Sequence, residues 1–144
     1  MENLQEMNTI PKFYIEVSVR DWKGTPWKEW NSSKIPCIYF QKSTINIGRT
    51  RNNDLLHARH NCSKSQATVS IENGKLVITD EFSCGGTFVD NEKLFKNNRL
   101  LTESSEVCIG DITYQFRIVD SIPIGVTVDK SSVDVIERYA SYGS

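Results

Sequence analysis

Hydrophobic and polar residues alternate along much of this chain with a period of two. The segments KFYIEVSV (12–19) and ITYQFRIV (112–119) have this pattern most clearly. Successive side chains of a strand point to opposite faces, so the alternation predicts half-buried β-strands. The apolar positions expected on the buried faces are Phe13, Ile15, Val17 and Val19 in the first segment, and Ile112, Tyr114, Phe116 and Ile118 in the second.

Turn signals divide the rest of the chain into further short strands. Asn73-Gly74 separates ATVSI from KLVITD, and Asp90-Asn91 and Gly110-Asp111 mark two more tight turns. Asn-Gly is the strongest hairpin signal because a type I′ turn needs positive φ at both central residues. About eleven short strands, with turns every 8–12 residues or so, predict an all-β sandwich of antiparallel or mixed sheets.

A helical pattern occurs only near the end of the chain, in SSVDVIERYASYGS (131–144). Ser132 is a candidate N-cap for a short helix that would begin at Val133. The pattern therefore divides the chain into a flexible start (1–11), a β-sandwich domain (12–122) and a C-terminal strand or tail with a short helix (123–144).

The segment RDWKGTPWKEWNSSK contains all three tryptophans of the chain but also Gly24 and Pro26, which predicts a long irregular connection over 21–34. Two interpretations of these tryptophans are open. They can pack the connection against the sandwich, or they can form an exposed aromatic surface that binds a partner.

Composition narrows the function classes. The 144 residues suit one domain, and a net charge near −1 gives no overall field that would attract nucleic acid or an anionic membrane. No apolar run reaches the ~18 residues of a membrane span. The N-terminus lacks the basic region of a signal peptide, so we expect an intracellular chain whose four cysteines are free thiols.

Three polar loops hold the residues that could carry chemistry: GRTRNND (48–54), HARHNCSKSQ (57–66) and DEFSCGGT (80–87). If neighbouring strands run antiparallel, these loops meet at one end of the sandwich. Arginine, lysine and serine donors together with glycine-flanked amides suit a phosphate group. On spacing alone, Arg49, Arg51 and Lys64 are better explained as ordinary surface cations.

Two other kinds of site are weaker alternatives. His57, His60 and Cys62 lie close in sequence, but two histidines without a second cysteine cluster do not supply a closed four-ligand metal site. Cys62 or Cys84 as a nucleophile would need a base beside it in the fold. We therefore expect no metal, no cofactor and no catalytic residue.

Three motifs in order resemble the forkhead-associated (FHA) domain, a phosphothreonine-binding β-sandwich. They are Gly48-Arg49 at a strand end, SKSQ (63–66), and SCGGTFVD (83–90), followed by a Gly-Asp turn at 110–111. Members of this family have a Gly-Arg strand end, then a Ser-Arg/Lys-x-His loop, then a Ser-x-Asn-Gly-Thr loop. The resemblance extends over residues 12–120 or so, and it implies an FHA-type sandwich with its binding loops at one end.

The resemblance assigns a role to each matching position. Arg49, Ser63 and Lys64 match the family's phosphate-binding residues. The positions that contact the peptide are Asn61, Cys84 and Gly85, and those that shape the loops are Gly48, Gln66, Gly86 and Thr87.

Two positions depart from the family pattern. Gln66 replaces the usual His, whose role is to brace the loops, and a glutamine can also donate and accept hydrogen bonds. Gly85 replaces the usual Asn, which hydrogen-bonds the peptide backbone. Loss of that bond is expected to weaken peptide binding by about 1–3 kcal/mol if a buried partner is left unpaired.

The resulting hypothesis is a non-enzymatic module that recruits phosphothreonine-containing partners. The spacing of GTFVDNEKL…GDITYQFRIV also resembles the nibrin group, and checkpoint kinases carry FHA domains too. This implies nuclear DNA-damage, cell-cycle or meiotic signalling, in a domain that regulates a larger kinase or repair protein. The alternative is a degenerate FHA scaffold that binds a partner or itself through an apolar surface, independently of phosphate.

Overall fold

The computed structural model describes residues 12–25, 30–94 and 97–140, and these form two packed sheets of six strands each. The first sheet has the spatial order β2-β1-β11-β10-β7-β8 and is antiparallel throughout. Its strands are β1 (Tyr14–Trp22), β2 (Ile38–Phe40), β7 (Thr87–Val89), β8 (Glu92–Leu94), β10 (Val107–Ile109) and β11 (Ile112–Val119).

The second sheet is mixed and has the order β12-β4-β3-β5-β6-β9. Both neighbours of β4 run parallel to it, and the remaining pairs are antiparallel. Its strands are β3 (Thr44–Gly48), β4 (Leu55–Leu56), β5 (Ala67–Glu72), β6 (Lys75–Asp80), β9 (Asn98–Leu101) and β12 (Val133–Asp134). The predicted all-β sandwich is confirmed.

The predicted turns form where the sequence placed them. Asn73 and Gly74 have φ of 53° and 75°, and Asp90 and Asn91 have φ of 50° and 69°. Positive φ at both central residues matches the twist of the flanking strands, which explains why β5–β6 and β7–β8 pair as hairpins.

The core lies between the sheets and is built from the alternate apolar positions. In β1 and β11 the fully or almost fully buried apolar side chains are Ile15, Val17, Val19, Trp22, Ile112, Tyr114 and Phe116. Ile118 is partly buried against them. Phe13 is 46% exposed, contrary to the pattern, because it precedes the first paired residue of β1, Tyr14.

Two of the three tryptophans pack inside the fold. Trp22 is 3% exposed, and its ring meets Trp30 edge-to-face at 5.7 Å between centroids. Trp30 also contacts Tyr139, at 6.1 Å, and donates from Nε1 to the carbonyl of Val19 at 3.2 Å. Trp27 lies outside the described residues, as do the predicted flexible start (1–11) and the last four residues (141–144).

The C-terminal segment differs from the sequence-based expectation. Val133 and Asp134 form strand β12, and Asp134 instead of Ser132 caps a helix, α1 (Val135–Tyr139), by accepting a hydrogen bond from the Glu137 amide at 3.1 Å. Val133, Val135 and Tyr139 are buried in the same core as the two sheets. Within the described residues, no helix has the length and apolar character that a membrane crossing requires.

Candidate functional site

The three polar loops meet at one end of the sandwich, around Ser63. The amide of Arg49, just after β3, donates to the carbonyl of Ser63 at 2.9 Å. The amide of Cys84, in the loop between β6 and β7, donates to the Ser63 side-chain oxygen at 2.8 Å. Ser63 therefore connects all three loops directly.

Gly48 allows the first two loops to approach closely. A Cβ atom at this position would lie 2.2 Å from the carbonyl oxygen of Lys64, so a side chain here would force the loops apart. The buried Asn53 holds the same carbonyl, donating from Nδ2 to Lys64 O at 2.9 Å and to Thr50 O at 2.9 Å.

Gln66 braces the second loop against the third. Its side chain is 1% exposed; Nε2 donates to the Gly86 carbonyl and the Thr87 hydroxyl, each at 3.0 Å. Oε1 accepts from the Ser63 amide at 2.9 Å. The Thr87 hydroxyl in turn donates to Asp80 at 2.9 Å, so the brace continues into β6.

A cavity of about 390 Å³ opens between these loops. Its lining residues are Arg49, His60, Asn61, Cys62, Ser63, Cys84 and Gly85. Five of the ten residues assigned to phosphate, peptide or loop-shaping roles thus share one cavity wall: Arg49, Asn61, Ser63, Cys84 and Gly85.

Arg49 presents unused donors to this cavity. Its Nε donates to the carbonyl of Cys62 at 3.1 Å, which fixes the guanidinium plane. Its two terminal nitrogens make no hydrogen bond or ion pair with the described residues. A planar fork of N–H donors held in this way is suited to an oxyanion.

Ser63 has a spare donor as well. Its oxygen accepts a hydrogen bond from the Cys84 amide, and that bond leaves the hydroxyl proton available.

Burial raises the pKa of the neighbouring Cys62 thiol to about 12, although the positive charge of Arg49 opposes this. The Cys62 thiol is therefore neutral, and it does not cancel the positive charge of Arg49.

Lys64 does not line the cavity, although it follows Ser63 directly. Its side chain is exposed, and its backbone carbonyl is the group held by Asn53. His60, to which the motifs assigned no role, lines the cavity instead. Its proximity in sequence to Asn61 was the only available signal, because spacing does not give the direction of a loop side chain.

The loop-shaping glycines have different surroundings. Gly86 has φ of 86° and lies under Lys93, whose Cε would be 2.5 Å from an added Cβ. Gly85 has open space: the Asn61 carbonyl oxygen, at 3.7 Å, is the only atom of the described residues near an added Cβ. A Cβ atom at position 85 would therefore fit.

Asp111 connects the site to the first sheet. Its carboxylate accepts from Trp22 Nε1 at 3.0 Å, from Asn61 Nδ2 at 3.4 Å, and from Arg59 at 2.9 Å. Burial alone would raise the pKa of Asp111, but these hydrogen bonds and the positive charge of Arg59 lower it below the ordinary 3.8. The hydrogen bond from Asn61 to Asp111 holds the Asn61 side chain beside the cavity.

His57 is a core residue and not part of the cavity. It is completely buried, and its Nδ1 lies 3.0 Å from the Tyr114 hydroxyl. Its other ring nitrogen has no hydrogen-bond partner among the described residues. Burial lowers the pKa of His57 to about 4, although the Asp111 carboxylate opposes this. The described residues contain no group of three His, Cys, Asp or Glu that could hold a metal.

Stability should therefore depend on pH through His57. Its folded pKa is below that of an unfolded histidine, about 6.5, so the unfolded state binds more protons between these values. We expect the urea midpoint to fall as pH decreases from about 7 to about 5, and His57→Gln to give a flatter profile over that window. Parallel profiles for the two proteins would contradict this origin of the pH dependence.

Comparison with known proteins is consistent with this geometry. The family model for the FHA domain matches residues 45–110, which contain all three loops. A search of curated proteins gave no match.

Solved structures with the same fold are distant in sequence. EmbR from Mycobacterium tuberculosis, in complex with a low affinity phosphopeptide, has 19% identity and a TM-score of 0.60 over 76% of this chain and 26% of its own. The FHA domain of CT664 from Chlamydia trachomatis has 16% identity and a TM-score of 0.57 over 76% of this chain and 99% of its own. Rad53 1-466 in complex with AMP-PNP has 22% identity and a TM-score of 0.54 over 74% of this chain and 30% of its own. This chain therefore spans less than a third of the length of EmbR and of that Rad53 chain.

Proposed function

Because the FHA family model matches residues 45–110 of this chain, we propose that its loop end binds phosphothreonine peptides and so recruits phosphorylated partner proteins. Arg49 and Ser63 contact the phosphate inside the cavity, and Lys64 adds its charge from the rim. Asn61, Cys84 and Gly85 face the peptide, while Gly48, Gln66, Gly86 and Thr87 hold the loops in place. The domain acts as a binding module and not as an enzyme.

One observation carries this proposal: two side chains on the same cavity wall have unused donors. The terminal nitrogens of Arg49 and the hydroxyl proton of Ser63 have no acceptor among the described residues. A phosphate dianion supplies several acceptor oxygens, and hydrogen bonds between charged groups are the strong kind. The phosphopeptide bound by EmbR, a protein of similar fold, supports the choice of ligand class.

The test compares phosphorylated and plain peptides. A peptide library with a fixed phosphothreonine should bind, and the same library with threonine should not, as measured by isothermal titration calorimetry of the selected sequences. A phosphoserine library shows whether the threonine methyl group contributes. Equal binding of phosphorylated and plain peptides would contradict the proposal and would be the result expected of the phosphate-independent scaffold.

The scaffold alternative loses much of its support. It depended partly on exposed tryptophans, and both Trp22 and Trp30 pack against the core. Its other motives were the two departures from the family pattern. Gln66 makes hydrogen bonds that link two loops, and the absence of an Asn at position 85 affects only the peptide half of the site.

Gly85→Asn should increase the affinity for a phosphothreonine peptide by about tenfold, since one additional hydrogen bond contributes about 1 kcal/mol or more. The space beside Gly85 accommodates the side chain, and its carboxamide can bond the peptide backbone. Gly85→Ala is the matched control, because it adds a Cβ without a polar group and should leave affinity unchanged. An equal gain in both variants would assign the effect to loop stiffness.

We place this module in nuclear DNA-damage, cell-cycle or meiotic signalling, as part of a larger kinase or repair protein. This part of the proposal rests on the resemblance to nibrin and checkpoint kinases. Capture of phosphatase-sensitive partners from damaged cells, compared with undamaged cells, would test it. Identical partners from both would argue against the damage pathway.

A further inference from the structure

Two residues that can carry a positive charge line the cavity, an arginine and a histidine. Arg49 carries a fixed charge, and His60 lies on the same lining together with Ser63. The side chain of His60 is exposed and makes no hydrogen bond or ion pair with the described residues. Lys64, which the family pattern places at the phosphate, is absent from this lining.

The other groups around His60 do not compete for its proton. The neighbouring Arg59 is paired with Asp111 at 2.9 Å. Cys62 is neutral because burial raises its pKa to about 12. The remaining titratable groups on the cavity lining are Arg49, which is always charged, and the exposed thiol of Cys84. Among the described residues, no carboxylate lines the cavity to stabilise an imidazolium in the free protein.

We propose that His60 is the second cationic contact of the bound phosphate and that it takes up a proton when the phosphopeptide binds. This proposal rests on the phosphopeptide-binding function proposed above. It differs from the family pattern because the second cationic contact inside the cavity is a histidine, three residues before Ser63, while Lys64 stays outside the cavity lining.

The direction of the pH effect follows from proton counting. Above about pH 7 the free phosphate is a dianion and a free histidine is mostly neutral. A complex of imidazolium and dianion then contains one proton more than the separate molecules. Affinity must therefore fall as pH rises above about 7, by at most tenfold for each pH unit.

The experiment uses a capped peptide with one phosphothreonine flanked by alanines, so that no acidic neighbour can contact His60. The imidazole signals of the chain are followed by NMR against pH, with and without saturating peptide. The chain has only His57 and His60, and His57 is already distinguished by its burial. We expect the His60 titration midpoint to rise by about one pH unit or more on binding, because an opposite charge within a few ångströms favours the protonated form.

Dissociation constants from the same titrations give the second readout. Between about pH 7 and pH 8.5 the wild-type affinity should fall roughly threefold or more, whereas His60→Gln should be weaker at pH 7 and nearly constant over this range. His60→Lys should restore affinity without the pH dependence. Arg51→Gln, the loss of a cation that lines a different cavity, should keep the wild-type slope.

The outcomes separate this inference from the proposed function. An unchanged His60 midpoint, or a slope that persists in His60→Gln, would overturn the role of His60 while phosphate-dependent binding remains. Equal shifts with the unphosphorylated peptide would overturn both.

Discussion

Arg49→Ala should reduce the affinity for a phosphothreonine peptide by about 100-fold or more. Of the described residues on the cavity lining, Arg49 is the one whose side chain is always charged, and the substitution also removes its two unused terminal nitrogens. A charge-assisted pair of hydrogen bonds contributes about 3 kcal/mol, and each 1.4 kcal/mol corresponds to a factor of about ten. Calorimetric titration with the best library peptide measures the change.

Arg51→Ala is the matched control for this prediction. Arg51 is in the same loop and carries the same charge, but it lines a different cavity, together with Ser131, Ser132 and Arg138. Arg51→Ala should weaken binding only slightly, because it reduces the overall positive potential around the peptide without removing a contact. Arg49→Lys keeps the charge but loses the planar fork, so an intermediate loss is expected. Equal losses in Arg49→Ala and Arg51→Ala would mean that bulk charge, and not a specific contact, holds the peptide.

Gln66→Leu should lower the free energy of unfolding by about 3 kcal/mol or more, because it removes three hydrogen bonds that the Gln66 side chain makes to buried or half-buried groups. These groups are the Ser63 amide, the Gly86 carbonyl and the Thr87 hydroxyl. The change should appear as a lower urea midpoint with an unchanged slope. Phosphopeptide affinity should fall as well, because Ser63 loses the bond that positions its loop.

Gln115→Leu is the control for side-chain chemistry. Gln115 makes one exposed hydrogen bond, from Nε2 to the carbonyl of Ser104 at 3.2 Å, so its loss should change stability by less than about 1 kcal/mol. Gln66→His, which introduces the usual family residue, should retain part of the brace. Equal midpoints for Gln66→Leu and Gln115→Leu would contradict the bracing role.

Sequence patterns predicted the fold where they were long enough to be periodic. β1, β5, β6 and β11 each have six or more residues, and the hairpin turns carry residues that accept positive φ. β4 and β12 have two residues each and pair in parallel, so neither alternation nor a turn motif identifies them. Their existence depends on contacts distant in sequence, which a local pattern does not contain.

The same limit applies to the candidate site. The motifs identified the three loops, and Gln66 forms the hydrogen bonds that its chemistry allowed. Motif spacing could not show that Lys64 lies outside the cavity lining and His60 on it, because loop side-chain directions follow from tertiary hydrogen bonds such as Asn53 to Lys64.

The packing of the C-terminal helix has a consequence for folding during synthesis. The hydroxyl of Tyr139 donates to the carbonyl of Pro36 at 2.8 Å, and Val133 pairs with Leu55 at the sheet edge. Chains emerge from the ribosome N-terminal end first, and a domain folds as a unit. The sandwich therefore cannot complete its core until residue 139 has left the exit tunnel. Until then the β4 edge is open, and a nascent chain paused before that point should depend most on chaperones.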